Sequence, residues 1–163
     1  MAFFRSLQNS AFTEWLLGSE SIWTYPTVLT LHTVGMAILV GASVVIHLRV
    51  LQVAPGIPPR RLLPLYRFIW MGFAINLLSG LALFVTEAAD RIVDPVFYVK
   101  LASIAAALWL GVIVKRRAID PPGAPGATDV TTALSRSMAA ASLALWTIAI
   151  VAGRLMAYLK STA

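Results

Sequence analysis

Residues 68–86 read FIWMGFAINLLSGLALFVT, nineteen consecutive residues with no charged side chain. At 1.5 Å of rise per helical residue this run reaches ~28 Å, close to the ~30 Å hydrocarbon core of a bilayer. Three more stretches have the same character: about 27–48 (TVLTLHTVGMAILVGASVVIHL), about 95–114 (PVFYVKLASIAAALWLGVIV) and about 138–158. Each is charge-free or carries one basic residue near an end, Lys100 in the third and Arg154 in the fourth, where a long side chain can reach the headgroups. The expected fold is therefore an all-α integral membrane protein. It is a four-transmembrane-helix bundle with the whole chain, 1–163, in a single membrane domain.

The composition agrees. Of 163 residues, 59% are hydrophobic and 12% charged, half the roughly 25% charged of a soluble domain, and the mean hydropathy is +0.81. Cysteine is absent, which excludes disulfides, thiolate metal sites, iron–sulfur clusters and haem attached through cysteine pairs. A formal charge of +6 would raise nucleic acid as a partner of a soluble protein. In a membrane chain, basic residues instead gather in loops that stay on the cytoplasmic side, so no nucleic-acid partner is expected.

Outward from the spans, Phe4, Leu7, Ala11 and Trp15 recur at helical spacing, widened by Phe12 and Leu16. The pattern predicts a short amphipathic helix over about 3–17, lying in the membrane interface. No removable signal peptide is expected. Tyr25-Pro26 then leads into the first span. Arg49, Arg60, Arg61 and Arg67 fall in the first loop, and Lys115, Arg116, Arg117 and Arg136 in the third. Arg5, Arg91, Lys100, Arg154 and Lys160 on the other side are offset by Glu14, Glu20, Glu87, Asp90 and Asp94. The positive-inside rule then places both termini outside, in the periplasm of a bacterial inner membrane. The loop over 118–134 is rich in proline and glycine and is expected to be mobile.

Two histidines, His32 and His47, occupy the first span. Fifteen residues separate them, ~22 Å along a helix, with ring directions about 60° apart. Ionisable groups within a span are costly and point to function, and a neutral imidazole is the commonest metal ligand. Helix bundles hold haem between facing helices. Gly35, one turn past His32, would leave room for a flat macrocycle, and the adjacent Met36 supplies a thioether. Lys100 and Arg154 share the depth of His32, while Arg49 and Arg67 share that of His47, so each histidine has cations for haem propionates. The second axial position falls to a methionine (Met36, Met71, Met138 or Met156), a lysine, a histidine of another protomer, or stays open. Copper is an alternative, because histidine with methionine suits it. The plain reading stands beside these: His47 faces headgroups, and His32 makes a structural hydrogen bond.

Gly72, Asn76 and Gly80 recur every four residues and favour close helix packing with an interhelical hydrogen bond; a transport path is the weaker reading. Ala105 to Ala107 with Gly111, and Ala139 to Ala141, read as further packing faces. Glu87 is a partner for Lys100 or Arg154. The tryptophans at 15, 23, 70, 109 and 146 read mostly as interfacial anchors. No nucleophile with a base, glycine-rich phosphate loop or catalytic carboxylate pair occurs, so a redox or cofactor-binding role is expected before a hydrolase or transferase.

Trp23-Thr24-Tyr25-Pro26, Leu31-His32, Gly35, Val40-Gly41 and His47-Leu48-Arg49-Val50-Leu51 resemble a family of small bacterial four-span membrane proteins described as a domain of unknown function. Leu62-Leu63-Pro64, Gly72-Phe73, Ser79-Gly80-Leu81 and Phe97-Tyr98-Val99-Lys100-Leu101 continue the resemblance, which covers roughly residues 20–117. It implies the four-span fold, with His32 and Lys100 as matching positions. The family pattern has an aspartate where this chain has His47, and a histidine near Val112-Ile113-Val114-Lys115-Arg116. Here His47 stands in for that missing histidine, or the inner site is lost.

These readings combine into an expected membrane-embedded b-type haem protein for electron transfer or haem-dependent sensing. His32 is its axial ligand, His47 serves a second haem or metal, and Lys100, Arg154 and Arg49 hold propionates. The alternatives are a small transport or channel subunit lined by His32, Asn76, Glu87 and Lys100, or an accessory scaffold of a larger membrane complex. Small-residue faces suggest lateral association into a homo-oligomer such as a trimer within the lipid bilayer, with an unidentified redox partner.

Overall fold

A computed structural model describes residues 2–18, 23–119 and 132–160. All regular structure among them is helical: α1 (Ala2–Gln8), α2 (Ala11–Gly18), α3 (Thr24–Val50), α4 (Leu65–Thr86), α5 (Ala88–Arg91), α6 (Pro95–Val114) and α7 (Ala133–Lys160). A 3₁₀ turn, Pro59–Leu62, precedes α4, and a π-helical turn, Lys115–Ile119, follows α6. Four helical stretches are long and apolar enough to cross a membrane: Thr24–Val50, Pro59–Thr86, Pro95–Ile119 and Ala133–Met156. They contain nearly all of each expected span, and the chain is a multi-pass, all-α membrane protein of the four-helix class. The loop expected to be mobile lies mostly outside the described residues.

Large apolar side chains stand exposed along all four long helices, Leu29, Leu78, Trp109 and Ile150 among them. Lipid solvates such side chains as well as a protein core does, so helix association rests on close packing and interhelical hydrogen bonds instead. The buried positions accordingly include many small residues, Gly35, Ser43, Gly72, Ser79, Ser103, Ala107, Ser135, Ala139, Ser142 and Ala149, beside larger ones such as Leu39, Ile46 and Trp146. On α7 the buried Ser135, Ala139, Ser142, Trp146 and Ala149 follow one another at four- and three-residue intervals. This is the heptad spacing of helices packed lengthwise.

The chain divides into two compact units. The first comprises residues 1–39 and 70–94, the second 40–69 and 95–163. In the first unit α1 packs on α5. The single interfacial helix expected over 3–17 is two helices, because the Ser10 hydroxyl caps α2 by accepting from the Thr13 amide at 3.4 Å. The Thr13 hydroxyl donates back to the Leu7 carbonyl at 3.3 Å. Phe12 and Trp15 remain exposed as an interfacial helix requires, while Leu16 is buried. Glu87 pairs with Arg91, which also approaches Asp94 at 3.7 Å.

In the second unit α6 packs along α7, and the Ser142 hydroxyl donates to the Ala107 carbonyl at 3.2 Å. Ala107 and Ala139 are buried, as the small-residue reading requires, whereas Ala105, Ala140 and Ala141 face outward. Of the five tryptophans, Trp15, Trp23, Trp70 and Trp109 are exposed, but Trp146 is buried in the α7 seam. Helix α3 ends in a Schellman motif: the Gln52 amide donates to Arg49 and the Val53 amide to Leu48. Gln52 occupies the left-handed position, φ 66°, usually taken by glycine.

Candidate functional site

Each histidine sits in a different unit and is held differently. His32 belongs to the first unit, where α3 and α4 touch through glycine. A Cβ on Gly72 would come 2.7 Å from the Leu39 amide nitrogen and 2.9 Å from the Gly35 carbonyl oxygen. One on Gly35 would meet the Asn76 amide nitrogen at 2.8 Å. Both neighbours are backbone, so neither position has room for a side chain. The space beside Gly35 is filled by α4; it is not the slot for a macrocycle that the sequence invited.

This approach brings polar groups across the helix pair. His32 Nδ1 lies 3.1 Å from the Asn76 carbonyl oxygen and 3.2 Å from the Ser79 hydroxyl. A carbonyl only accepts, so Nδ1 carries the proton in that contact. The Asn76 side-chain Nδ2 donates to the His32 backbone carbonyl at 2.9 Å and lies 3.5 Å from ring Nε2. Ser79 in turn donates to the Ile75 carbonyl at 2.6 Å. Gly80 completes the pocket, because a Cβ there would stand 3.0 Å from His32 Cε1. The face of Gly72, Asn76 and Gly80 is therefore the receptor for Gly35 and His32, the packing role its spacing predicted.

His47 belongs to the second unit and is 2% exposed, so it does not face headgroups. Its Nδ1 donates to the Ser43 carbonyl at 2.6 Å, one turn back on its own helix. That bond fixes the tautomer and leaves Nε2 with its lone pair, buried and with no hydrogen-bond partner. A backbone carbonyl holding one ring nitrogen while the other offers its lone pair is the usual arrangement of a metal-ligating histidine. Tyr66 and Trp146, in the same unit, also have buried polar atoms without partners. Burial raises the requirement that such groups find a partner, so these atoms are the least satisfied in the described chain.

The basic residues named for propionates divide too. Arg49 is 2% exposed and donates Nε to the Ile57 carbonyl, tying the end of α3 to the loop that follows. Lys100 lies along α7: its Cε and Nζ stand 3.7 Å from where a Cβ on Gly153 would be. Since Arg154 is the next residue, Lys100 and Arg154 share one level of the α6–α7 pair, as their positions in the spans required. Met36, one turn past His32, is half-buried.

An ordinary ion site is less well supplied. Among the described residues no three histidine, cysteine, aspartate or glutamate side chains converge, so copper would have to rely on sulfur or backbone donors. A cavity of about 360 Å³ lies in the second unit between α6 and α7, lined by Val96, Val99, Ile148, Val151 and Leu155 among others. Its lining is apolar and includes neither histidine.

The sequence singles out both histidines, with His32 expected as the ligand, and the structure shows His32 hydrogen-bonded across the helix pair and His47 bonded within its own helix. What the sequence could not show was which ring had its capacity taken up by neighbours. Tyr66 gives no signal in the sequence, and Trp146 reads there with the other tryptophans as an interfacial anchor. No family model, curated protein or solved structure matches this chain.

Proposed function

We propose that this chain is a membrane-embedded b-type haem protein serving electron transfer or haem-dependent sensing, in which His47 would hold the haem. The observation that carries the reading is the buried Nε2 of His47, unpartnered while Nδ1 is held by the Ser43 carbonyl. Haem would supply one-electron chemistry there, tuned by the residue that holds it and by the dryness of its surroundings. The chain supplies a neutral imidazole of fixed tautomer. Ser43 orients the ring, and its carbonyl makes Nε2 a stronger donor by drawing on the Nδ1 proton. Arg49 stands two residues on, and Lys100 and Arg154 at another level of the helices provide cations for carboxylates. The positive-inside distribution of arginine and lysine supports a bacterial inner membrane with both termini periplasmic. The exposed apolar helix faces support contact with lipid and with further copies of the chain. The residues that resemble the small four-span bacterial family support the same placement.

The test is an absorption spectrum of protein purified from haem-replete cells, oxidised and then dithionite-reduced. A Soret band with reduced α and β peaks, lost in His47→Ala and kept in His32→Ala, is the expected result. Loss in His32→Ala alone moves the ligand to α3's other histidine. A flat visible spectrum defeats the haem reading.

The cluster of His32, Asn76 and Ser79 favours a second reading, a small transport or channel subunit. Three hydrogen-bonding side chains on two facing spans are the raw material of an ion or proton path. Flux through proteoliposomes of haem-free protein, abolished by His32→Ala, is its signature.

A further inference from the structure

The 3₁₀ turn Pro59–Leu62 and the π-helical turn Lys115–Ile119 come from different loops, yet they pack against each other within the second unit. Between them they carry Arg60, Arg61, Lys115, Arg116 and Arg117. No acidic residue occurs from 21 to 86 or from 95 to 119, and Asp120, directly after the second turn, is the one carboxylate adjoining these five cations in sequence. A topogenic role alone would ask only that the charges lie on one side of the membrane. It would not ask that two short turns be built around them.

The construction is specific. Leu62, Val114, Ala118 and Ile119 are buried at 5%, 0%, 4% and 2% exposure, which anchors both turns from beneath. Arg61, Arg116 and Arg117 project outward from that base. The shift from α to π geometry at Lys115 is a local change of winding of the kind found at functional sites. It lets Ala118 and Ile119 be buried while Arg116 and Arg117 stay exposed. Lys115 is fixed by a further contact, its ammonium 5.0 Å from the centre of the Tyr66 ring.

Five cations at the end of a set of membrane spans, on turns anchored from beneath and with a single acidic neighbour in sequence, match one class of partner. Arginine recognises phosphate through paired donors, and the phosphates at this depth belong to lipid headgroups. We infer that the paired turns Pro59–Leu62 and Lys115–Ile119 form a binding site for an anionic phospholipid carrying two phosphates. Arg61, Arg116 and Arg117 contact the headgroup while Lys115, stacked on Tyr66, adds a fixed charge beside it.

The test uses the full chain reconstituted in equal parts phosphatidylcholine and cardiolipin, then released into detergent and weighed intact by native mass spectrometry. Wild type is expected to retain cardiolipin over phosphatidylcholine. Arg116→Gln and Arg117→Gln are each expected to lower occupancy about fivefold, and the double variant roughly 25-fold. Arg116→Lys with Arg117→Lys keeps most of the binding, because charge is retained and only paired donation is lost. Arg5→Gln, which removes one charge from the other unit, leaves retention unchanged. Circular dichroism and elution volume confirm that each variant is folded. Equal retention of the two lipids, or undiminished cardiolipin on the folded double glutamine variant, overturns the proposal. Displacement of the lipid by millimolar inorganic phosphate overturns it too, by making the site one for free phosphate.

Discussion

The two units solve the same problem, satisfying polar groups inside a membrane, in opposite ways. In the unit of residues 1–39 and 70–94, glycine brings two backbones into contact, and the polar side chains complete one another across the helix pair. In the unit of residues 40–69 and 95–163, the glycines at 41 and 111 have nothing within 4 Å of a would-be Cβ. There the histidine turns to its own helix and keeps a nitrogen in reserve. The comparison teaches that a polar residue in a span is not a single kind of signal. One satisfied by a neighbouring helix is structural glue; one satisfied only within its own helix retains capacity for a ligand.

Glycine offers the sharpest way to break the comparison. Gly72→Ala is expected to destabilise the protein by ~1–3 kcal/mol, because the new methyl group meets backbone and the helices must separate. Gly111→Ala, in open surroundings, is expected to be neutral or to stabilise by up to ~1 kcal/mol through helix propensity. Thermal unfolding in one detergent measures both, and equal effects would dissolve the distinction between the units.

The histidines come next. Asn76→Leu is expected to cost ~1 kcal/mol, and a double-mutant cycle with His32→Leu is expected to show coupling of similar size. His47→Leu removes a bond internal to one helix together with a buried, unpartnered nitrogen, and is expected to change stability of the cofactor-free protein by no more than ~0.5 kcal/mol. A large loss for His47→Leu would show that its Nε2 is satisfied after all, which removes the support for it as a ligand.

The smallest effect tests the join at the end of α3. Gln52→Gly relieves a left-handed residue and is expected to stabilise by about 0.5 kcal/mol, the strain released being partly offset by the greater freedom of glycine in the unfolded chain. Equilibrium unfolding resolves it, and a loss of stability would mean that the Gln52 side chain contributes more than its backbone costs.

Composition and run length alone determined that this chain lies in a membrane and crosses it with four helices, because lipid leaves a buried backbone no other way to satisfy its hydrogen bonds and bilayer thickness fixes the length of each run. The four-residue recurrence of Gly72, Asn76 and Gly80 likewise specified a packing face, since that spacing lines up residues on one side of any helix. Only the tertiary structure decided what that face receives. Spacing along α3 placed both rings on a broad common side, but whether a ring nitrogen is occupied depends on which helix lies opposite, and that is a contact forty-four residues away in sequence for His32 and Asn76. The same holds for the paired basic turns: each was visible as a charged loop, but their meeting is a long-range contact that local residue patterns do not encode.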